Sequence, residues 1–293
     1  MKVVVLGAGG QVGRELATRV IWPAGADIVG LARADLDICD TAGIERMLDG
    51  RPDLVVNCAA YTAVDRAESE PELAFAVNAS AVGALARAAA KRKIPLVHLS
   101  TDYVFDGTSA RAYTEDDPVA PLGVYGASKE AGEREIRAAG GRHWILRTSW
   151  VVGVYGANFV KTIVRLAAER DGLRVVGDQH GKPTCARELA AAIAVAARPM
   201  LAGDMPLGTY HLAGSPACTW YDLAVRVVDQ QAAYTGRRPP VTAITTAEWP
   251  SPAQRPARSV LDCTKWSTAT GLPAPDWRPG VDAIVRELLG GQG

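Results

Sequence analysis

Tyr125 and Lys129 stand four residues apart in the segment Tyr125-Gly-Ala-Ser-Lys129. On a helix that spacing puts both side chains on one face, a phenol beside an ammonium. A free phenol, with a pKa of about 10, exchanges protons poorly at neutral pH. A neighbouring cation favours the phenolate and lowers that pKa towards the working range. The pair suits acid–base work, with Lys129 tuning Tyr125. A hydroxyl for the same reacting oxygen is offered by Ser100 or Thr101, at the start of the run STDYVFDG over 100–107. Donors held around a carbonyl oxygen stabilise the alkoxide formed in a reduction, and the group that also delivers a proton, Tyr125, completes it.

An electron source for such a reduction is legible at the other end of the chain. Residues 7–13 read GAGGQVG, with Gly7, Gly10 and Gly13 spaced three apart after a short apolar run. In that context Gly7 permits a tight turn, Gly10 lets backbone approach a pyrophosphate at a positive helix end, and Gly13 allows close helix–strand packing. Gln11 and Val12 belong to the same dinucleotide loop. Arg33 follows the second apolar run and suits a 2′-phosphate, which favours NADPH; Asp35, two residues on, offers a carboxylate to a ribose hydroxyl and leaves NADH open as well. Asp37 and Ile38 are expected under the adenine, the carboxylate accepting from its amine and the isoleucine packing on the ring. The small side chains of NCAAYT over 57–62, with Ala59, Ala60 and Tyr61, leave room for the cofactor's middle.

Positioning these groups requires a particular architecture. Short β-branched runs at 3–6, 28–32, 54–57, 96–100, 144–148 and 173–177 alternate with helix-length stretches at about 11–20, 70–93, 126–139 and 158–171. Such alternation predicts right-handed βαβ units and a Rossmann-type, doubly wound parallel sheet over the first 175 or so residues. Beyond about 178 proline and glycine become frequent, with a strand at 209–212 and helices at about 186–198, 220–231 and 281–289. This predicts a smaller C-terminal α/β substrate-binding part. The division is 1–150 for the cofactor and 151–293 mainly for the substrate, some later elements returning to the first core. Thr219 with Asp222, and Thr245 with Glu248, have the spacing of capping boxes.

Composition narrows the partners. The chain has 293 residues, 48% hydrophobic, with 32 basic and 32 acidic side chains. The balanced charge gives no general attraction to nucleic acid or to an anionic membrane surface. Five scattered cysteines without a CxxC fit a reducing cytoplasm, and the apolar run at 189–197 is half a membrane span. His98, His143, His180 and His211 lack ligand spacing.

Taken with NCAAYTAVDRAE (57–68), LRTSWVVG (146–153), DQHGKPT (178–184), RPARSVLD (255–262) and LPAPDWRPGV (272–281), these motifs resemble the extended short-chain dehydrogenase/reductase superfamily, and within it the dTDP-4-dehydrorhamnose reductase family. The resemblance covers nearly the whole chain. It implies NAD(P)H-dependent reduction of the 4-keto group of dTDP-4-dehydro-6-deoxy-L-mannose to dTDP-L-rhamnose, with Thr101, Tyr125 and Lys129 as the catalytic set and Lys129 also on the nicotinamide ribose. It places Val64, Asp102, Tyr103 and Trp150 with Thr101 and Tyr125 around the sugar, and Arg255 near the pyrophosphate of the dTDP. Some members hold Mg2+ with glutamates at a homodimer interface, and Glu15, Glu188 and Glu287 stand at matching places. Two other readings share the fold: a nucleotide-sugar epimerase or other reductase, and a non-catalytic NADP-binding regulatory subunit. A dehydratase is disfavoured because no glutamate follows Asp102.

Overall fold

Runs such as Lys2-Val-Val-Val-Leu6 carry branched side chains on both faces, so they are stable only where both faces are covered. The computed structural model, which describes residues 1–290, shows that burial: Val3, Val5, Leu54, Val55 and Val56 are fully enclosed. The strands β1 (Lys2–Leu6), β2 (Asp27–Leu31), β3 (Leu54–Asn57), β4 (Leu96–Thr101) and β5 (His143–Thr148) are joined in one sheet by a later strand. Between β5 and that strand comes β6 (Leu173–Val176), so the sixth member of the sheet is β7 (Gly208–His211). The order is β7-β5-β4-β3-β1-β2, all parallel.

Helices cover both faces. On one, Val12 and Leu16 of α1 (Gln11–Thr18) share a core with Trp144 of β5 and with Leu189, Ile193 and Ala197 of a later helix. On the other, Ile44 and Leu48 of α2 (Thr41–Asp49) meet Val82, Leu85 and Ala89 of α3 (Pro71–Lys91) and Ile136 of α4 (Val124–Ala139). The larger of these side chains, such as Leu16 and Ile44, each contribute about 1.5–3 kcal/mol by leaving water. By length and composition α3 is apolar enough to cross a membrane, yet its Val82, Leu85 and Ala89 are buried in the core against the sheet. A π-helical turn at Ala76–Ser80 interrupts it.

Two elements depart from the expected arrangement. The run at 173–177 forms β6, but it pairs in parallel with β8 (Val241–Ile244), outside the main sheet. The reason is the helix before it. The apolar face of α5 (Phe159–Glu169) is satisfied by Leu223 and Val227 of a later helix, in a separate core with Leu173 and Val175, so this βα unit never reaches the sheet. The sixth place goes to β7, delivered by α6 (Ala186–Ala202), which packs against α1. Helix α6 outruns its expected end at 198 and carries Pro199 inside it, at the loss of one i→i−4 hydrogen bond.

The second core is closed by α7 (Trp220–Thr235) and α8 (Trp277–Gly290). Helix α8 starts four residues before its expected position, since Pro279 is tolerated in a first turn. Both capping boxes form: Thr219 accepts from Asp222 N at 3.1 Å while Asp222 accepts from Thr219 N at 2.9 Å, and Thr245 with Glu248 caps a single 3-10 turn.

Candidate active site

The glycine loop leaves no room for side chains. Gly7 has φ +73, and a Cβ there would lie 2.6 Å from Ala59 N; one on Gly13 would lie 2.3 Å from Gly7 O. The backbone must therefore pass close under any ligand, at the start of α1 and beside the switch point between β1 and β3 where open sheets bind dinucleotides. A cleft of about 440 Å³ opens there, and Gly7, Gly10, Arg33, Asp37, Ile38, Ala59, Ala60 and Tyr61 line it. Its residues fit a dinucleotide. The Arg33 side chain is 82% exposed and free at its outer edge, with Nε donating to Asp37 Oδ2 at 3.1 Å. The Cys39 amide, and then Arg33, hold the Asp37 carboxyl below its usual range, so it remains an acceptor.

Four of the expected cofactor residues are held by the protein itself. Asp35 accepts from Ala32 N at 2.9 Å through one of its two oxygens. The Gln11 amide bridges Val151 O at 3.3 Å and Asn158 Nδ2 at 3.0 Å, tying the loop to the segment after β5. Val12 is buried in the core. Gln11 and Val12 can therefore serve a cofactor through backbone only. Tyr61 donates its hydroxyl to Glu70 Oε2 at 2.7 Å.

At the carboxyl end of β4 the alternation of a strand separates the two candidate hydroxyls. Ser100 turns inward and donates to Glu133 Oε1 at 2.6 Å. Thr101 faces the site, donating to Asp102 Oδ1 and accepting from Tyr103 N, both at 3.1 Å. Helix α4 starts at Val124, whose N–H is capped by Glu68 at 2.9 Å, so Tyr125 sits in the first turn with Lys129 one turn below.

The electrostatics differ from expectation. Burial pushes the Tyr125 phenol up to about 12; the Thr101 hydroxyl pulls it down and Asp102 pushes it further up. Lys129 is 2% exposed, with its Nζ donating to Leu99 O at 2.7 Å and lying 3.2 Å from His98 Nε2. Burial lowers it to about 8. Burial thus disfavours the charged form of both groups, and one Lys129 donor is held by the β4 backbone.

Val64, Tyr103 and Tyr125 line one pocket with Gly126 and Pro256, the two tyrosine rings meeting edge to face at 5.9 Å. Asp102 is not turned into it. Its carboxylate accepts from Thr101 and Ser259, and burial raises it to about 7. Arg255 is tethered to Asp65 Oδ2 at 2.9 Å and to Ser251 Oγ at 2.5 Å, so its charge is partly answered. Trp150 has a left-handed backbone, φ +47, a conformation that costs a non-glycine residue of order 1–3 kcal/mol and persists where surroundings enforce it. Here Trp220 stacks on it at 3.5 Å, and Gly181 leaves it space below.

Trp220 escaped the sequence reading, as did Asn57, His98 and Asn78. Asn78, in the π turn, accepts from Tyr61 N at 2.8 Å and donates to Ser128 Oγ at 3.0 Å, joining the cofactor cleft to α4. One signal was available. His98 and Ser100 alternate on one strand face as Lys129 and Glu133 do on one helix face, and the two pairs meet in register.

Glu15, Glu188 and Glu287 do line one cleft, but Glu15 and Glu287 are met by arginines rather than arranged as a cation cage. Arg19 bonds Glu287 at 2.5 Å, and Arg187 reaches Glu287 at 3.0 Å and Glu15 at 3.4 Å. Among the described residues no group of three or more acidic, histidine or cysteine side chains could hold a metal ion.

A six-stranded parallel sheet covered by helices on both faces, with a glycine-loop cleft at its carboxyl edge, defines a Rossmann-type nucleotide-binding fold. The model of the RmlD substrate binding domain family matches residues 1–289. A dTDP-4-dehydrorhamnose reductase from Sinorhizobium fredii is 43% identical over 292 residues, covering 99% of this chain and 98% of that protein. Among solved structures, a dTDP-4-dehydrorhamnose reductase from Clostridium acetobutylicum is similar with a TM-score of 0.90 and 36% identity, over 98% of this chain and 99% of that one. Another, from Bacillus anthracis in complex with NADP, has a TM-score of 0.87 and 34% identity over the same shares. The chain belongs to the dTDP-4-dehydrorhamnose reductase family.

Proposed function

We propose that the protein reduces the 4-keto group of dTDP-4-dehydro-6-deoxy-L-mannose to the alcohol of dTDP-L-rhamnose, with NADPH as reductant. The observation that carries this reading is the intact Thr101, Tyr125 and Lys129 group between the dinucleotide cleft and the tyrosine-lined pocket, in a chain of this family. Gly7, Gly10, Arg33, Asp37, Ile38, Ala59 and Ala60 would hold NADPH, and residues 151–293 would grip mainly the nucleotide sugar. Bound NADPH supplies hydride to the carbonyl carbon. Thr101 orients the carbonyl oxygen through its hydroxyl, and Tyr125 delivers the proton that turns the developing alkoxide into an alcohol. A phenol pushed up by burial holds its proton until that alkoxide forms. Tyr103 and the Trp150–Trp220 stack wall the sugar, and Arg255 lies towards the phosphates.

The direct test supplies the enzymatically generated ketone and follows NADPH. One equivalent consumed per ketone, with dTDP-L-rhamnose as product, supports reduction; a changed sugar without net NADPH consumption marks an epimerase instead.

Two further outcomes are expected. Arg33→Ala removes the exposed cation beside the cleft and should weaken NADPH binding about tenfold, about 1.4 kcal/mol, with NADH little affected. Equal weakening of both, measured by fluorescence titration, returns Arg33 to an ordinary surface role. Gly181→Ala places a Cβ 2.4 Å from Trp150 Cε2. Displacing that ring should raise KM for the nucleotide sugar by about tenfold or more, about 1–3 kcal/mol, with NADPH affinity unchanged. An unaltered KM removes Trp150 from the sugar site.

A further inference from the structure

The pocket between Val64, Tyr103 and Tyr125 is closed in the free protein. Its free space is about 10 Å³, room for roughly one water, whereas a bound small molecule occupies a pocket of about 300 Å³ or more. A sugar ring enters only if a wall moves. Two of the walls are fixed. A Cβ on Gly126 would lie 2.1 Å from Tyr103 O, so the head of α4 already touches the backbone after β4. Val64 opens the short helix Val64–Ala67, whose C-cap Glu68 in turn holds Val124 N at 2.9 Å.

The third wall is Ala253, Gln254 and Pro256, and it is held differently. Pro250, Pro252 and Pro256 withhold three N–H groups, and among the described residues no backbone–backbone hydrogen bond is made between 250 and 256. Apart from the Tyr103 phenol beside Arg255, the polar ties of this stretch to other segments go to one carboxylate. Asp65 Oδ1 accepts from Ala253 N at 3.3 Å, and its Oδ2 accepts from Arg255 Nη2 at 2.9 Å. The remaining bonds, among Ser251, Ala253 and Arg255, stay inside the loop. Asp65 therefore holds the whole wall, and it can let go. Its side chain is 44% exposed and that of Arg255 24%, and an ion pair open to water contributes little to stability. A guanidinium fork takes phosphate as it takes carboxylate, and a diphosphate carries more charge than Asp65.

From this geometry we infer that residues 249–256 form a gate over the sugar pocket, latched by Asp65 in the free protein and released when the diphosphate of a nucleotide sugar takes Arg255. The choice of ligand rests on the proposed function; the latch rests on the closed pocket and the ties of the loop. Asp65 is a positioning residue, competing with the ligand for Arg255 and touching no reacting atom. The foot of the loop stays in place, since a Cβ on Gly107 would lie 2.5 Å from Pro256 Cβ, so the movement belongs to the residues before Pro256. A sugar without a diphosphate brings nothing to displace Asp65, and the gate thereby favours nucleoside diphosphate sugars.

Stopped-flow mixing with dTDP-L-rhamnose, followed by tryptophan fluorescence, tests the gate. In wild type the observed rate should level off as ligand concentration rises, because the gate step limits entry. In Asp65→Ala that plateau should rise by about tenfold or more and Kd should fall, since the open form no longer competes with a latched one. Damage to the fold slows or weakens binding, so a faster and tighter variant has no such explanation. Asp65→Asn, which keeps the shape and removes the charge, should move the same way. A wild-type rate that stays proportional to concentration would overturn the inference, and that readout requires no variant to fold. So would an unmoved plateau, or a raised Kd, in either folded variant. Gated binding by a protein that leaves the ketone unreduced would refute the proposed function and keep the latch; reduction with ungated entry would do the reverse, and no binding at all would refute both.

Discussion

Replacing Tyr125 by phenylalanine should lower kcat by about 10²–10⁴-fold, the range for losing a general acid, and leave NADPH affinity within about twofold. The phenol hydroxyl makes no hydrogen bond that holds the fold together; the bond from Ser128 Oγ goes to the Tyr125 backbone carbonyl, which phenylalanine retains. The ring keeps its edge contact with Tyr103. Only proton delivery is removed, so the loss should appear in kcat and kcat/KM together, with thermal stability close to wild type. Steady-state kinetics beside a melting curve separates the cases. A variant that keeps its turnover means another group protonates the sugar oxygen.

Glu133→Gln should cost about 3–5 kcal/mol of stability, the penalty for stranding one partner of a buried ion pair. Glu133 is fully buried and accepts from Arg147 Nε at 2.9 Å and Nη2 at 2.7 Å, from Ser100 at 2.6 Å and from Arg137 at 2.6 Å. Arg147 is itself 2% exposed, so its charge cannot turn to water. Burial pushes the Glu133 carboxyl up, but Arg147 and Ser100 pull it lower than its usual value. A folded-state pKa below the unfolded one means stability that is present above the unfolded value, about 4.3, and lost as pH falls through the folded one. Urea unfolding of wild type near pH 7 and below about pH 4 should show that loss; the variant, already lacking the charge, should show less of it. Equal stability of the two proteins at neutral pH would mean the network contributes nothing net.

Much of this site was legible in the sequence, and the limits have physical causes. The glycine spacing, Tyr125 with Lys129, and Thr101 at a strand end are local patterns, and local geometry placed them correctly. Strand 173–176 was misplaced because a β-branched run states that it will be buried and not by what. Its partner was decided by the apolar face of α5, which found α7. The contacts of Lys129 with Leu99 O and His98 were not legible, because spacing gives the face but not the direction of a long side chain. The three glutamates do share a cleft, but Arg19, just past the end of α1, and Arg187 of α6 claim two of them. Trp220 had no signal of its own, since its stack on Trp150 joins residues that only the second core brings together.

The decisive measurement uses NADPH deuterated on the transferring face of the nicotinamide with the enzymatically generated 4-keto sugar, and locates the label in the product by mass spectrometry and NMR. Reduction at this site predicts one deuterium per molecule, at C4 of dTDP-L-rhamnose, with equimolar NADP formed. A product without label, or a ketone left unchanged by protein that binds NADPH, would contradict it.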